Sequence, residues 1–261
     1  MHTLILPPRY TPDSIALWKA ANAAGWKVER LQNWRVPDWL RGEDVVLYGE
    51  PLFAAAVAES LSVILLEPPL DWLSRLPQEY RLRDVQFSTL QAARQRPRAA
   101  FFKPADDKCF TAQVYQSGAE LPGDDILPGD IPVLIADPVD WTVEFRCFVL
   151  EGEVKTISPY LRSGKLAQAE DGSWPAGQAE IDEAIRFSER VLDDDRVFLP
   201  PGAAFDVGII DGQGWAVVEV NAAWGSGVYG CDPEQVLHVV RRACVDAAGV
   251  TDADRTWVVE R

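Results

Sequence analysis

Apolar and polar residues alternate most clearly along 204–210 and 215–222, and this alternation predicts a β-hairpin. Successive side chains of a strand point to opposite faces, so every second residue shares one side of the sheet. The intervening Asp-Gly-Gln-Gly at 211–214 is a turn signal. A four-residue loop there would set Ile210 opposite Trp215.

Three oxygen-bearing side chains are predicted to lie on one face of this hairpin. Counting back from that pair places Asp206 opposite Glu219, and Asn221 shares the face of Glu219. Two facing carboxylates repel each other by roughly 0.2–1 kcal/mol, a cost that a divalent cation removes. Oxygen ligands without Cys or His suit Mg²⁺, or else Mn²⁺. The pattern therefore indicates a metal site, with a merely solvated acidic face as the alternative.

The first 70 residues alternate short apolar strands with helical patterns, which predicts a small parallel sheet covered by helices. Strands are expected at 4–6, 28–31, 45–48 and 63–66, and helices at 12–24 and 51–60. Residues 71–98 are rich in arginine and are predicted to form a connecting helical segment.

Strands dominate from residue 99 onward. They are predicted at 99–103, 110–115, 132–136, 142–150 and 154–159, with a helix at 181–191. Asp232 and Pro233 predict the start of a last helix. The chain is thus interpreted as α+β, with a small α/β unit at 1–70, a connector at 71–98 and a larger unit at 99–261.

Charge and cysteine usage narrow the class of protein. A formal charge of −15 and a pI near 4.6 argue against a nucleic-acid partner, because phosphates would be repelled over most of the surface. The four cysteines form no CxxC pair, which indicates reduced thiols and a cytoplasmic protein. The amino-terminal residues lack a signal-peptide pattern and no long apolar run occurs, so neither export nor a membrane partner is expected.

Two lysines flank a tight turn in the larger unit. Lys103 ends an apolar strand, and Lys108 begins the next strand after the loop at 104–108. Burying an ammonium group without a partner is expensive, so an anion is expected nearby. The lysines are interpreted as phosphate clamps, with two exposed lysines beside a turn as the alternative.

Further polar groups lie at the ends of apolar strands. An apolar strand enters an acidic bend at Leu134, Ile135, Ala136 and Asp137. Backbone groups of such a bend could meet a flat heterocycle. Glu144 and Arg146 share one face of a strand, where a plain ion pair is the alternative. Arg162 and Lys165 lie in a basic loop at 158–165 that could attract an anion to this acidic protein.

In chain order, these features resemble the ATP-grasp superfamily, and more narrowly its clade of small bacterial and phage-associated ATP-grasp proteins. The residues that carry the resemblance are Phe102-Lys103-Pro104, Asp137-Pro138-Val139, Glu144-Phe145-Arg146, Ser158-Pro159-Tyr160, Asp206-Val207-Gly208 and Glu219-Val220-Asn221. They lie within about 99–243. The resemblance implies an ATP-grasp fold, in which two α+β subdomains grip ATP, preceded by a small α/β pre-grasp domain.

The resemblance also implies a role for each group. Asp206, Glu219 and Asn221 resemble the residues that bind the two Mg²⁺ ions of ATP. Lys103 resembles the phosphate-contacting lysine, 134–137 the adenine hinge and Glu144 the ribose-binding acid. Contacts near the γ-phosphate or acyl substrate are expected from Arg146, Arg162 and Lys165.

Two positions depart from the pattern of the superfamily. The phosphate loop is glycine-rich in many members, whereas the segment 104–108 here contains no glycine. A basic residue that usually lies upstream has no lysine counterpart, and Arg83 is the candidate for it.

The expected activity is that of an ATP- and Mg²⁺-dependent carboxylate–amine ligase acting through an acylphosphate. The substrates would be an amino acid, peptide or protein side chain with a carboxylate, and an amine acceptor. The alternatives are a non-catalytic ATP-binding sensor or scaffold and an acidic interaction protein. The basic residues Arg162 and Lys165 favour the enzyme, while the oligomeric state stays open.

Overall fold

Four β-sheets and the helices between them make up residues 1–106 and 108–259, the part of the chain that this computed structural model describes. The strands are β1 (Thr3–Leu6), β2 (Lys27–Arg30), β3 (Val45–Leu47), β4 (Val63–Leu65), β5 (Val85–Thr89), β6 (Ala100–Pro104), β7 (Gln113–Tyr115), β8 (Pro132–Ala136), β9 (Trp141–Leu150), β10 (Glu153–Arg162), β11 (Lys165–Leu166), β12 (Gly202–Ile210), β13 (Gly214–Ala222) and β14 (Cys244–Asp246). The helices are α1 (Pro12–Ala23), α2 (Pro51–Leu61), α3 (Trp72–Arg75), α4 (Gln78–Arg81), α5 (Leu90–Arg94), α6 (Gln178–Leu192), α7 (Pro233–Arg242) and α8 (Asp252–Arg255). This mixture of sheets and helices confirms the predicted α+β class.

The amino-terminal sheet is parallel, in the order β2-β1-β3, as the alternation of strands and helices predicted. Helix α1 begins where Thr11 accepts a hydrogen bond from the Ser14 amide at 3.1 Å, an N-cap contact followed by Pro12 in the first turn. The fourth predicted strand does not join this sheet. Instead β4 pairs antiparallel with β14, so the amino-terminal unit is tied to the end of the chain.

A shared core joins the amino-terminal unit to the rest of the protein. Leu4, Leu6 and Leu17 pack in one buried cluster with Val236 and Val240 of α7. Helix α7 begins at the predicted Asp232–Pro233 pair, and α8 follows it. The division at residues 70 and 98 stays a prediction.

The second sheet is antiparallel, in the order β5-β8-β6-β7. Its strand β5 lies inside the segment predicted to be helical, so that prediction was wrong for Val85–Thr89. The strand pairs on one side only, and just one of its five residues is fully buried. An edge strand with so little apolar burial leaves a weak alternation in the sequence, which the surrounding arginine-rich helical pattern obscured.

The largest sheet has the order β11-β10-β9-β12-β13 and is antiparallel throughout. The predicted hairpin at Gly152 is confirmed, with Leu150 paired to Glu153. The segment 158–165 was predicted to be a loop and instead forms the end of β10 and the turn into β11. Proline at 159 and a bulge between 159 and 161 disguised this strand in the sequence.

The two faces of the largest sheet differ in chemistry. One face packs its apolar side chains, among them Phe145 and Phe205, against Phe187 of α6. The opposite face carries the polar residues of 144, 146 and 206. One end of this polar face is covered by α7 and the amino-terminal unit. Within the described ranges, no helix combines the length and apolar character that a bilayer crossing requires.

Candidate nucleotide and metal site

The hairpin β12–β13 brings Asp206 opposite Glu219, as predicted, although its turn differs from the prediction. Ile210 pairs with Gly214, not with Trp215, because the turn is one residue tighter. A β-bulge between the pairs at 206 and 207 then shifts the register back by one residue. The two carboxylates therefore face each other across the ladder.

Asp206 is held in a buried ion pair. Its side chain has 0% exposure, and Arg146 lies opposite it on the neighbouring β9. The guanidinium donates from Nε to one carboxylate oxygen at 2.9 Å and from a terminal nitrogen to the other at 2.6 Å. Burial alone would lower the pKa of Arg146, but the charge and hydrogen bonds of Asp206 raise it well above its ordinary value, so the guanidinium stays charged.

Two tyrosine rings position this guanidinium. The Cζ atom of Arg146 lies 5.4 Å from the ring centroid of Tyr160 and 5.1 Å from that of Tyr229, within the range of cation–π attraction. Tyr229 adopts a left-handed backbone with φ of 51°, which is strained for a non-glycine residue. The next residue must be glycine, because a Cβ on Gly230 would lie 2.6 Å from Ser158 Oγ.

Glu219 joins the two larger sheets. Its carboxylate forms an ion pair with Lys103 of β6 and accepts a hydrogen bond from the Asn221 amide nitrogen at 2.8 Å. Burial raises the pKa of Glu219, but the lysine and the amide outweigh it and lower the value to about 2. The prediction that Lys103 has an anion nearby is therefore confirmed, and its partner here is a proposed metal ligand.

Glu144 lies on the same face as Arg146 and is buried. The Tyr160 hydroxyl donates to its carboxylate at 2.7 Å. Burial raises the pKa of Glu144 to about 7, assisted by the negative charges of Asp206 and Glu219. This carboxyl group therefore titrates near neutral pH and can donate or accept a hydrogen bond there. Its burial overturns the plain surface ion pair with Arg146 that was the alternative.

Arg83 is buried and its donors are used within the protein. Its guanidinium donates to the carbonyl oxygens of Val217 at 2.8 Å and Val218 at 2.9 Å, at the bulge of β13. It also lies over the Trp141 ring, 4.9 Å from the centroid. Burial lowers its pKa to about 10. Arg83 therefore supports the edge of the sheet that carries Glu219, a role that the sequence did not indicate.

The structure does not bring all of the predicted residues together. Arg162 binds Glu180 of α6 at 2.5 Å and is paired with Val143, on the apolar face of the sheet. Lys165 is exposed at the start of β11, and Lys108 is exposed in its loop. The loop residue Asp107 lies outside the described residues.

The predicted adenine hinge combines buried and exposed positions. Leu134 and Ala136 pack in the core between the two larger sheets, whereas Ile135 packs on the opposite side against α5. Asp137 is exposed and accepts a hydrogen bond from the Asp84 amide at 3.0 Å. Leu134 pairs with Lys103 in the ladder, so the hinge lies beside the predicted phosphate contact.

The donor set fits a hard divalent cation by its chemistry. Asp206, Glu219 and Asn221 supply carboxylate and amide oxygens alone, on one face of one hairpin. Among the described residues, no group of three or more His, Cys, Asp or Glu lies together, so the set depends on the amide of Asn221. Lys103 and Arg146 compensate the charge of the two carboxylates in this structure.

Sequence comparison decides the family. Residues 80–239 match the model of an ATP-grasp domain family, the second family of its clade. The chain belongs to this family. The resemblance noted in the sequence is thereby confirmed. No curated protein matches the sequence.

Solved structures confirm the ATP-grasp fold. The chain is similar to a RimK domain ATP-grasp protein from Sphaerobacter thermophilus, with a TM-score of 0.54 and 14% identity over 92% of this chain and 98% of that one. It is similar to the D-cycloserine synthetase DcsG, with a TM-score of 0.53 and 16% identity over 92% and 98%. A D-alanine–D-alanine ligase from Bacillus anthracis gives 0.51 and 13% over 92% and 95%. At these identities the likeness concerns the fold alone.

Proposed function

We propose that this protein is an ATP- and Mg²⁺-dependent ligase that joins a carboxylate to an amine through an acylphosphate. Membership of an ATP-grasp family supports this proposal. The observation that carries it is the convergence of Asp206, Glu219 and Asn221 on one face of a hairpin, with Lys103 reaching Glu219 from the facing sheet.

The chemistry would proceed by positioning and charge neutralisation. A carboxylate oxygen of the substrate attacks the γ-phosphorus of ATP, and the bond to the β,γ-bridging oxygen breaks to release ADP. The amine then attacks the acyl carbon, and phosphate leaves with the bonding electron pair. Phosphoryl transfer needs little covalent help from a protein, so no enzyme nucleophile is required.

Each group at the site has a part in this scheme. Asp206, Glu219 and Asn221 would hold two Mg²⁺ ions, or Mn²⁺, which neutralise phosphate charge when bound. Lys103 lies where it can exchange Glu219 for a phosphate oxygen. Arg146 is proposed to stabilise the transferred phosphoryl group.

The nucleoside would lie against the second sheet. The backbone of 134–137 is proposed to meet adenine, and Glu144 the ribose hydroxyl groups, with its high pKa allowing it to donate or accept. Lys108 and the loop around it would cover the phosphates. Arg83 is proposed to act on the nucleotide only through the strand edge that it supports.

One observation favours the alternative of a non-catalytic ATP-binding module. The expectation of an enzyme drew on an anionic subsite at Arg162 and Lys165, but Arg162 is paired with Glu180 and lies on the other face of the sheet. The third alternative, a solvated acidic face, is overturned because Asp206 is buried and ion-paired.

Calorimetric titration with a non-hydrolysable ATP analogue, with and without Mg²⁺, tests the nucleotide site. Glu219→Gln should weaken binding at least tenfold, about 1.4 kcal/mol, whereas Glu170→Gln, a matched change at an exposed glutamate, should leave it unchanged. Glu219 is preferred over Asp206 because it is 26% exposed. Removing Asp206 would leave Arg146 buried without its partner, at a cost of about 3–5 kcal/mol in stability.

Product analysis then separates the enzyme from the binding module. The ligase should release ADP and phosphate in equal amounts when an amine and a carboxylate substrate are both supplied. Magnesium-dependent binding without ADP release, over a screen of amino acids and peptides, would support the binding module. Absence of nucleotide binding by the wild type would contradict both.

A further inference from the structure

The carboxyl ends of β1, β2 and β3 form an exposed edge beside the candidate site. Pro7 to Tyr10 follow β1, Trp34 follows β2, and Gly49 to Leu52 follow β3. Because the strands are parallel, these segments meet at one edge of the sheet. In open α/β sheets, ligands bind at the carboxyl ends of the strands.

Side-chain contacts link the first two of these segments. The Arg30 guanidinium donates to the Pro7 carbonyl at 2.7 Å and to the Arg9 carbonyl at 3.0 Å. Its Cζ atom lies 4.1 Å from the centroid of the Tyr10 ring. A cation and an aromatic ring are therefore fixed together at the surface.

The third segment closes the same surface. The Trp34 and Phe53 rings are 6.5 Å apart in an edge-on arrangement. Gly49 lies beneath them, since a Cβ there would lie 2.7 Å from the Phe53 ring and 3.4 Å from Pro7. We name the surface formed by Pro7–Tyr10, Arg30, Trp34 and Gly49–Phe53 the aromatic edge.

The aromatic edge is joined directly to the loop that follows the metal hairpin. The Gly49 amide donates to the Trp224 carbonyl at 3.0 Å, and the Tyr48 hydroxyl donates to the Ser226 carbonyl at 2.8 Å. In the same loop, the Gly227 carbonyl accepts from Arg146 at 3.2 Å. A ligand on the aromatic edge would therefore lie next to the residues that hold the proposed phosphoryl-transfer site.

The aromatic edge exposes large apolar side chains that the fold does not bury. Tyr10 is 71% exposed, Leu52 67% and Trp34 52%. Exposed apolar side chains grouped beside a charged site mark a binding surface.

Charge distinguishes this surface from the rest of the protein. Residues 1–70 contain six Lys and Arg against eight Asp and Glu, so most of the net charge of −15 lies elsewhere in the chain. Arg9 is highly exposed, and Arg30 lies beside it. An anionic ligand therefore meets less repulsion at the aromatic edge than over the remaining surface.

The width of the aromatic edge favours a ligand longer than one amino acid. The strand order β2-β1-β3 contains two inter-strand spacings, which together span about 10 Å. An extended peptide covers this width with about three residues.

We infer that the aromatic edge binds the carboxylate substrate of the proposed ligase, and that this substrate is an acidic peptide segment with aromatic or large apolar side chains. The inference rests on the proposed function for the fate of the bound carboxylate. Arg9 and Arg30 would attract the acidic side chains, while Tyr10, Trp34 and Leu52 would contact the apolar ones.

Calorimetric titration with a defined peptide tests this inference. The probe is an acetylated tetrapeptide amide, Phe-Glu-Phe-Glu, compared with Phe-Lys-Phe-Lys and with free glutamate. The wild type should bind the glutamate peptide at least tenfold more tightly than either comparison ligand. Arg9→Ala and Trp34→Ala should each weaken binding at least fivefold. Arg255→Ala and Phe198→Ala, matched changes at exposed residues outside the aromatic edge, should not.

The outcomes separate this inference from the proposed function. Equal binding of the two charged peptides, or no loss on changing Arg9 and Trp34, would overturn the peptide site. Intact binding of the ATP analogue in both variants would then leave the nucleotide site standing. Loss of the ATP site with peptide binding retained would contradict the ligase and keep the surface. A homodimer that Trp34→Ala dissociates would assign the edge to a second copy of the chain and overturn the inference.

Discussion

Arg83 offers the sharpest test of how the metal hairpin is held. Strand β13 pairs only with β12, so it is an edge strand of the largest sheet. At its bulge the carbonyl groups of Val217 and Val218 point to Arg83 and accept hydrogen bonds at 2.8 and 2.9 Å. Edge carbonyls that are removed from water need such a donor.

The expected effect follows from those two bonds. A hydrogen bond from a charged donor contributes about 1.5–3 kcal/mol, so Arg83→Met should lower the free energy of unfolding by about 3 kcal/mol even at the low end of that range. Arg83→Lys should lose about half as much, because an ammonium group is a point donor without the planar fork of a guanidinium. Arg75→Met is the matched control, since Arg75 forms an exposed pair with Asp71 that contributes about 0–1 kcal/mol.

Urea unfolding followed by tryptophan fluorescence measures the loss of stability, and calorimetry with the ATP analogue measures nucleotide affinity. If Arg83 supports the strand, stability falls in both variants, and the affinity falls with it because Glu219 follows the bulge. Unchanged stability together with a tenfold loss of affinity would refute this reasoning. It would show that Arg83 contacts the nucleotide itself, as the family resemblance implied.

Three further predictions follow from the site. Burial raises the pKa of Glu144 to about 7 from its ordinary 4.5, so the folded state keeps a proton that the unfolded state releases. Its contribution to stability is complete below about pH 4.5 and is lost as pH rises through 7; urea titrations should show wild type losing up to about 3 kcal/mol relative to Glu144→Gln over this range, and parallel curves would contradict it. Lys103→Met should weaken binding of the Mg²⁺-bound ATP analogue at least tenfold in calorimetry, and unchanged affinity would exclude Lys103 as a phosphate contact. Cys109 is exposed while the other three thiols are shielded, and burial raises the pKa of all three. Native protein should therefore react with one equivalent of a thiol reagent, and ATP with Mg²⁺ should slow that reaction if the loop beside Lys108 covers the phosphates.

Hydrophobic periodicity predicted most of the fold, and its failures share a cause. Strands buried on one or both faces, such as Pro132–Ala136 and the long Trp141–Leu150, leave a strong pattern that predicts them closely. Val85–Thr89 lies at a sheet edge, and Tyr160–Arg162 follows a proline and a bulge. In both segments tertiary pairing, and not local pattern, makes the strand.

The side chains that organise the site were less visible in the sequence than its oxygen ligands. Tyr229 lies eight residues beyond Asn221, in a loop without periodicity, and contacts Arg146 only through the folded chain. Its one local signal is the following Gly230, whose close packing against Trp174 and Ser158 requires glycine. Arg83 likewise acts across 134 residues of sequence.

The facing of Asp206 and Glu219 was predicted correctly although the turn was not, and the structure explains why. The tight turn displaces the register by one residue, which would send Glu219 to the opposite face of the sheet if the ladder continued unchanged. The bulge returns it before the carboxylates are reached, and Arg83 holds the carbonyl groups at the point where the ladder is interrupted. Turn, bulge and arginine therefore act as one device that fixes the oxygen ligands. A substitution at any of the three should disturb the metal site before it unfolds the sheet.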